Sequence, residues 1–377
     1  MRIFGRFQIS IMRKYLILLL IPSLGLAAKN HAKNVILFLG DAGGIPTLNA
    51  AGIYENDRPQ SLFIQQMPHI ALSDTSSLNS WVTDSAAGMT AIVTGQKTNN
   101  GWLSLLPAAD GGDGRVAKTI LEYAEERGLS TGVVTNMPIW DATPAACFAH
   151  VDSRKKSAEI FEQALHPRFG NGPEFLVGKD WKKLAAATEA AGWNLDQALG
   201  KAGYKVFGNP SEIPDGTSRA AAIYDGPDFE PEPVVLGIIK SLARNPKGFF
   251  LMVEWDMHTK ATLQGIKRAI VMDNLIRKVA ATAPKNTLIL FAADHSFNFR
   301  LVSAKKGEPF AAQLEADLAK ETRRPLEKPV VAVGTEHAGE EILVAGQGPG
   351  AERLHGFIPN TRIFHVMMDA YGWPESR

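Results

Sequence analysis

Apolar residues fall along this chain in two patterns. Short unbroken runs rich in Val, Ile, Leu and Phe alternate with longer stretches in which apolar positions recur every three or four residues. The first pattern is that of strands buried on both faces, the second that of helices laid against them. "NVILFLGDAGG" (34–44), "LSTGVVTN" (129–136), "KGFFLMVEWD" (247–256) and "NTLILFAADH" (286–295) predict such strands. "DSAAGMTAIVTG" predicts a helix from Asp84 to Gly95, "RVAKTILEYAEERG" (115–128) an amphipathic helix closed by glycine, and "IKRAIVMDNLIRKVAAT" (266–282) another. "EEILVAGQGPGAE" (340–352) and "NTRIFHVMMDAYGW" (360–373) predict a closing strand, turn and helix. The fold class that follows is α/β, a mainly parallel central sheet with helices on both faces. Residues 155–235 carry scattered Gly, Pro and Trp with weaker patterning, and are expected to form a small inserted cap region on the same domain.

The N-terminus does not fit that domain. Arg13 and Lys14 precede the apolar run "YLILLLIPSLGL", and Gly25, Ala27 and Ala28 supply small residues after it. A charged segment, an apolar run too short to span comfortably and a small-residue cleavage site mark a secretory signal peptide. Residues 1–28 are therefore expected to be removed, leaving one domain over 29–377 that is periplasmic or secreted, with no stable membrane anchor. An uncleaved anchor is the competing reading, and Met12 offers an alternative start. Without the leader, 36 basic side chains face 39 acidic ones, a net charge of −3. No long block of like charge appears, so no nucleic-acid surface is expected. Cys147 is the only cysteine, so no internal disulfide can support an exported chain.

In an open α/β sheet, ligands bind beyond the carboxyl ends of the strands. Several predicted strands end there in metal-ligating residue types: Asp41, then Glu254 with Asp256 and His258, then Asp294 with His295. "TEHAGEE" adds His337 in a late loop. One Asp at a strand end is ordinarily a turn or cap residue. The same feature at several ends, with histidines beside it, is not explained by turns. Carboxylates gathered in one crevice repel unless cations neutralise them, and mixed Asp/His sets suit zinc.

"NVILFLGDAGG", "VTDSAAGMTAIVTGQKTNNG", "DATPAACFAHVDSR", "FAADHS" and "TEHAGEE" resemble, in order, successive motifs of the alkaline phosphatases, from Asn34 to Glu341. The resemblance implies a metal-dependent phosphomonoesterase with two zinc ions and one magnesium, acting on small-molecule phosphate esters, and in a family that is often homodimeric. Ser85 would be the nucleophile and a zinc ligand, becoming a phosphoserine. Asp41 would bridge the second zinc and the magnesium, Asp294 and His295 would complete the second zinc site, and His337 would belong to the first. Thr143 and Glu254 would hold magnesium directly and Asp141 through water. Arg154 would clamp the phosphate, with Asp84 positioning it or capping the helix. These types suit the chemistry. A serine hydroxyl is a poor nucleophile without a base or metal, and a guanidinium fork matches two phosphate oxygens.

The sequence departs from the family in "VEWDMHTKATLQG". Most members place an Asp five residues after the Glu and a His four beyond that; here those positions are Thr259 and Leu263. Asp256 and His258 are expected to take their place, because an alternating strand points Glu254, Asp256 and His258 to one face. A degraded first zinc site is the competing reading, with His258 an ordinary surface residue. His150 is expected to pack or hydrogen-bond, Lys97 to be a solvated loop lysine, and Cys147 a small buried hydrophobe. Two other functions compete: a phosphodiesterase of the same superfamily, and a non-catalytic phosphate- or metal-binding relative. Sulfatases use a C/S-x-P-x-R context, and "SAAGM" lacks its Pro and Arg.

Overall fold

Eight consecutive buried residues, Asn34–Asp41, form strand β1. Its side chains divide alternately between two cores: Val35, Leu37 and Leu39 join one, Ile36 and Phe38 the other. The computed structural model describes residues 31–109, 111–112, 114–320 and 329–374, so the leader expected over 1–28 lies outside the described residues. From β1 the chain continues through α1 (Ile45–Asn56), β2 (His69–Ser73), α2 (Ser85–Thr94) and a small hairpin of β3 (Leu105–Leu106) and β4 (Arg115–Val116). Next come α3 (Ile120–Glu126), β5 (Ser130–Pro138), α4 (Ala142–Ala145) and α5 (Ser157–Leu165). Then follow β6 (Phe175–Lys179), α6 (Trp181–Ala190), α7 (Leu195–Lys201), β7 (Lys205–Phe207), β8 (Ala220–Tyr224) and α8 (Pro231–Leu242). The remainder is β9 (Phe249–Asp256), α9 (Thr262–Thr282), β10 (Thr287–Ala292), β11 (Ser296–Leu301) and α10 (Phe310–Lys320), then β12 (Val331–Ala338), β13 (Ile342–Gln347), β14 (Phe357–Ile358) and α11 (Arg362–Tyr371).

Ten strands make one sheet in the order β14-β2-β13-β10-β1-β9-β5-β6-β8-β7. β13 is antiparallel to both its neighbours, and every other pairing in the sheet is parallel. Helices α2, α3, α5 and α11 cover one face, and α1, α8, α9 and α10 the other. This is the expected mainly parallel α/β sheet with both faces covered. Among the described residues, no helix is long and apolar enough to cross a membrane.

Three expectations change. Residues 155–235 are not only cap: β6, β8 and β7 extend the sheet in parallel to one edge. Their short runs "FLVGK" and "AAAIY" are buried, but alanine makes the apolar signal weak. The helix expected over 115–128 starts only at Ile120, because Thr119 and Glu122 form a capping box. The Thr119 Oγ1 accepts from Glu122 N–H at 3.1 Å, and the Glu122 carboxylate accepts from Thr119 N–H at 2.9 Å. His337 lies not in a loop but on β12, opposite Phe297 of β11.

Candidate active site

Register brings the acidic strand ends to one level. Asp41 stands opposite Asp256 across the β1–β9 pair, and Glu254 stands opposite both Leu39 and Thr135. Asp294 and His295 follow β10, the other neighbour of β1, after Ala293. Ala42, just past Asp41, adopts a positive φ of 59°, and its N–H donates to Asp294 Oδ1 at 3.2 Å. A non-glycine residue in that conformation marks a constrained turn, here one that ties two strand ends together.

Ser85 is the first residue of α2, and Asp84 is its N-cap. Asp84 Oδ1 accepts from Ala87 N–H at 3.1 Å, and its two oxygens accept from Gly101 N–H at 3.1 and 3.0 Å. The same carboxylate receives Arg154 NH1 at 3.3 Å, while Arg154 NH2 donates to Asp141 Oδ1 at 2.9 Å. Asp84 therefore both caps the helix and positions Arg154. The Ser85 Oγ lies 3.2 Å from His295 Nε2. His295 Nδ1 sits 3.0 Å from the Ser296 carbonyl, which can only accept, so Nδ1 carries the proton and the Nε2 lone pair faces the centre. His337 Nδ1 is 3.1 Å from the Thr83 carbonyl, leaving its Nε2 free in the same way. The His295 and His337 rings stack at 3.7 Å, and His258 stands 5.7 Å from each.

The electrostatics of this cluster are unbalanced. Burial, then the charges of Asp294, Glu254, Asp256 and Asp141, push the Asp41 carboxyl well above its usual range. Burial, with Asp141 and Asp294, does the same to Glu254 despite the hydroxyl bond from Thr135. Burial lowers His295 to about 4, with His337 and His258 adding to the effect and Asp294 opposing it. Burial opposes ionisation of Asp256 as well, yet the bonds from His258 and the charge of Arg268 hold its carboxyl below the usual range. Burial would lower the Arg154 guanidinium, but Asp141, Asp84 and Asp41 push it above its ordinary value.

Seven buried side-chain polar atoms lack a hydrogen-bond partner among the described residues, and four belong here: Asp41 Oδ1, Thr143 Oγ1, Glu254 Oε1 and Asp294 Oδ2. Unpartnered buried oxygens are costly unless a ligand meets them. Donor atoms of three overlapping groups lie within 4.8 Å of one another: His258, His295 and His337; Asp41, Asp294 and His295; Asp41, Asp256 and His258. Oxygen-rich and histidine-rich sets side by side fit divalent cations, the histidine set suiting zinc.

Motif residues expected to have no direct role in the chemistry behave in part as expected. His150 is buried between the Ser104 carbonyl at 2.8 Å and Glu122 Oε1 at 3.0 Å, and Cys147 is buried. Lys97 is not a solvated loop lysine: it bonds Asp74 Oδ1 at 2.8 Å and both oxygens of Ser76 at 2.7 Å. The sequence reading missed Thr135, Asn136, Asp228 and Arg268, which bond Glu254, Asp256 or each other. Arg268 had a signal. It falls on the buried stripe Gly265, Met272, Leu275, Val279 of α9, where an unpaired charge has no place.

An open parallel sheet with a serine, an arginine and a cation-hungry set of carboxylates and histidines at its strand ends defines a metal-binding α/β enzyme. The sequence model of the alkaline phosphatase family matches residues 32–171 and 232–327, more than half of the chain. The chain belongs to the alkaline phosphatase family, whose members are metal-dependent phosphatases. An alkaline phosphatase of Gadus morhua is 28% identical over 436 residues, covering 90% of this chain and 91% of that one. Alkaline phosphatase 4 of Bacillus subtilis (strain 168) is 26% identical over 416 residues, covering 88% and 87%. Among solved structures, the alkaline phosphatase from the Antarctic bacterium TAB5 superposes with a TM-score of 0.74 at 22% identity, over 92% of this chain and 99% of that one. A variant of that enzyme has been solved with magnesium bound in its M3 site. Thermus thermophilus alkaline phosphatase gives a TM-score of 0.73 at 19% identity, over 92% of each chain.

Proposed function

We propose that this phosphatase hydrolyses phosphate monoesters through a phosphoserine on Ser85, with two zinc ions and one magnesium. The observation that carries the reading is the place of Ser85 Oγ. It is buried at the N-terminus of α2, 3.2 Å from His295 Nε2, beside oxygens left without a hydrogen-bond partner among the described residues. His337, His258 and Asp256 would hold the first zinc, and Asp294, His295, Asp41 and Ser85 the second. Asp41, Glu254 and Thr143 would hold the magnesium, with Asp141 reaching it through water. When bound, such cations neutralise the carboxylates and stabilise charge on the entering and leaving oxygens. Ser85 Oγ forms a bond to phosphorus as the bond to the alcohol breaks, and the alcohol leaves with the proton that the serine gives up. Water then cleaves the phosphoserine, restoring the hydroxyl and releasing inorganic phosphate. Arg154 supplies two N–H donors to the phosphoryl oxygens, which favours monoesters with their additional charged oxygen. The N-terminal pattern supports export to the periplasm or beyond, a reading that N-terminal sequencing of the mature protein tests.

Turnover of a monoester and of a bis-ester by the purified protein, together with its metal content, tests the assignment. Monoester preference, two zinc equivalents and loss of turnover by orders of magnitude in Ser85→Ala are expected. Preference for the bis-ester, or full activity in Ser85→Ala, would overturn it.

A further inference from the structure

Asp256 is gripped from behind. Its Oδ1 accepts from His258 N–H at 3.0 Å and lies 2.8 Å from His258 Nδ1, while its Oδ2 receives Arg268 NH1. Arg268 stands on α9 with its side chain only 14% exposed. The other edge of its guanidinium forms a fork on Asp228, Nε to Oδ2 at 2.7 Å and NH2 to Oδ1 at 3.2 Å. Asp228 also accepts from Lys179 Nζ, at the end of β6, and from Asn136 Nδ2 at 3.2 Å. Asn136 closes the loop, since its Oδ1 accepts from Asp256 N–H at 2.8 Å. Charges thus alternate from Lys179 through Asp228 and Arg268 to Asp256, running from the end of β6 to the candidate metal centre.

Only arginine suits this position. One edge of a planar guanidinium can be taken by Asp228 while NH1 remains aimed at Asp256, a geometry that an ammonium cannot hold. Exposed ion pairs are worth little, but these groups are largely buried and Arg268 is held by carboxylates on two sides. Arg268 holds Oδ2, while Oδ1 lies beside His258 Nδ1, in the donor group that Asp256 makes with Asp41 and His258.

We propose that Arg268, anchored by Asp228 and Lys179, is a positioning residue that confines Asp256 to one-oxygen binding of a divalent cation shared with His258. The proposal rests on the reading of Asp256 and His258 as cation ligands. Partners of this kind typically change metal affinity by about 10–100-fold when removed.

The test uses the zinc-loaded protein and its Arg268→Met, Arg268→Lys, Asp228→Asn and Asp256→Asn variants. Zinc retained against a competing chelator, the visible spectrum of the cobalt-substituted protein, and kcat and KM are measured. Arg268→Met is expected to weaken one zinc equivalent by about 10–100-fold and to shift the cobalt bands. Arg268→Lys should restore part of both, and Asp228→Asn should move both in the same direction as Arg268→Met. If Asp256→Asn loses an equivalent while both Arg268 variants keep wild-type affinity and spectrum, the positioning role is wrong and the ligand reading stands. If Asp256→Asn also keeps both, the ligand reading fails and takes this proposal with it. Should Arg268→Met not fold, Arg268→Lys and Asp228→Asn decide by the same measurements.

Discussion

Arg154 is held between two carboxylates, Asp84 at 3.3 Å and Asp141 at 2.9 Å, before any substrate arrives. The restriction of that long side chain is therefore met at folding, and in the proposed role a phosphoryl group would encounter a fork already aimed. Its side chain remains 27% exposed, so it can be reached from the crevice. Arg154→Ala should lower kcat/KM for a monoester by about 10–100-fold, the loss of one or two charge-assisted bonds, and turnover of a bis-ester by less. Arg154→Lys should recover charge but not the fork, giving an intermediate value with KM the more affected. Equal losses on both substrates would show that Arg154 supports the fold of the site and does not select the ester. At this scale the sequence was most legible for residues that the fold brings together, Ser85 beside His295 and Arg154 against Asp84 and Asp141. It was least legible at Arg268, whose role comes from Asp228 and Asp256, residues 40 and 12 positions away in the chain.

Helix α2 shows what an element adds to its residues. Its boundaries were readable because each has a local cause: Asp84 caps the start, and Gly95, at φ 71°, takes the left-handed position that closes the end. Its small residues have a further purpose that only packing reveals. A Cβ on Gly88 would meet the Asp294 carbonyl oxygen at 2.7 Å and the Asp294 Cβ at 3.2 Å, so glycine lets the helix carrying Ser85 lie directly on the strand end carrying Asp294. Gly88→Ala should destabilise the protein by about 1–3 kcal/mol and make its metals easier to strip with chelator, because the clash is with backbone. Gly200→Ala in α7 is the contrasting case, since a Cβ there meets nothing within 4 Å, and it should stabilise by about 0.5–1 kcal/mol. Urea midpoints of the two variants check the pair, and a stable Gly88→Ala protein with unchanged metal retention would refute the close-approach argument. Where the local cause was masked, the element was misread. The Thr119–Glu122 box was hidden inside a helical apolar pattern, and the alanines of β8 gave too little contrast for a strand to be seen.

Over the whole molecule, the parallel sheet separates two groups of carboxylates. The candidate active site occupies the carboxyl ends of its strands. At the opposite ends, Glu174 precedes β6 and its Oε2 accepts from the Thr131 N–H at the start of β5 at 2.6 Å. Glu125 lies beside them, accepting from Asn171 and Gly172 N–H at 3.1 and 3.2 Å. The strand pattern was enough to place the first group, because parallel strands deliver all their C-terminal residues to one crevice. The second was invisible in the sequence, since Glu125, Thr131, Glu174 and Arg219 carry no motif and meet only through the fold. Burial is the main cause that lifts Glu174 to about 7, with the charge of Glu125 adding to it and the Thr131 N–H and Arg219 opposing. The folded state therefore holds a proton on Glu174 that the unfolded chain releases near its ordinary value of 4.5. Between those two values the folded state binds more protons, so stability falls as pH rises. The contribution is fully present below the unfolded value and is lost as pH passes through about 7. Glu174→Gln keeps an oxygen for the Thr131 N–H and removes the titration. The variant should match the wild type at pH 4 and exceed it at pH 8 by on the order of 1–3 kcal/mol. Comparing variant with wild type at each pH cancels whatever the metal centre contributes at the far end of the sheet. Urea midpoints for the two proteins across pH 4–8 decide it: a constant difference would mean that Glu174 titrates alike in the folded and unfolded protein, its burial fully offset by the Thr131 N–H and Arg219.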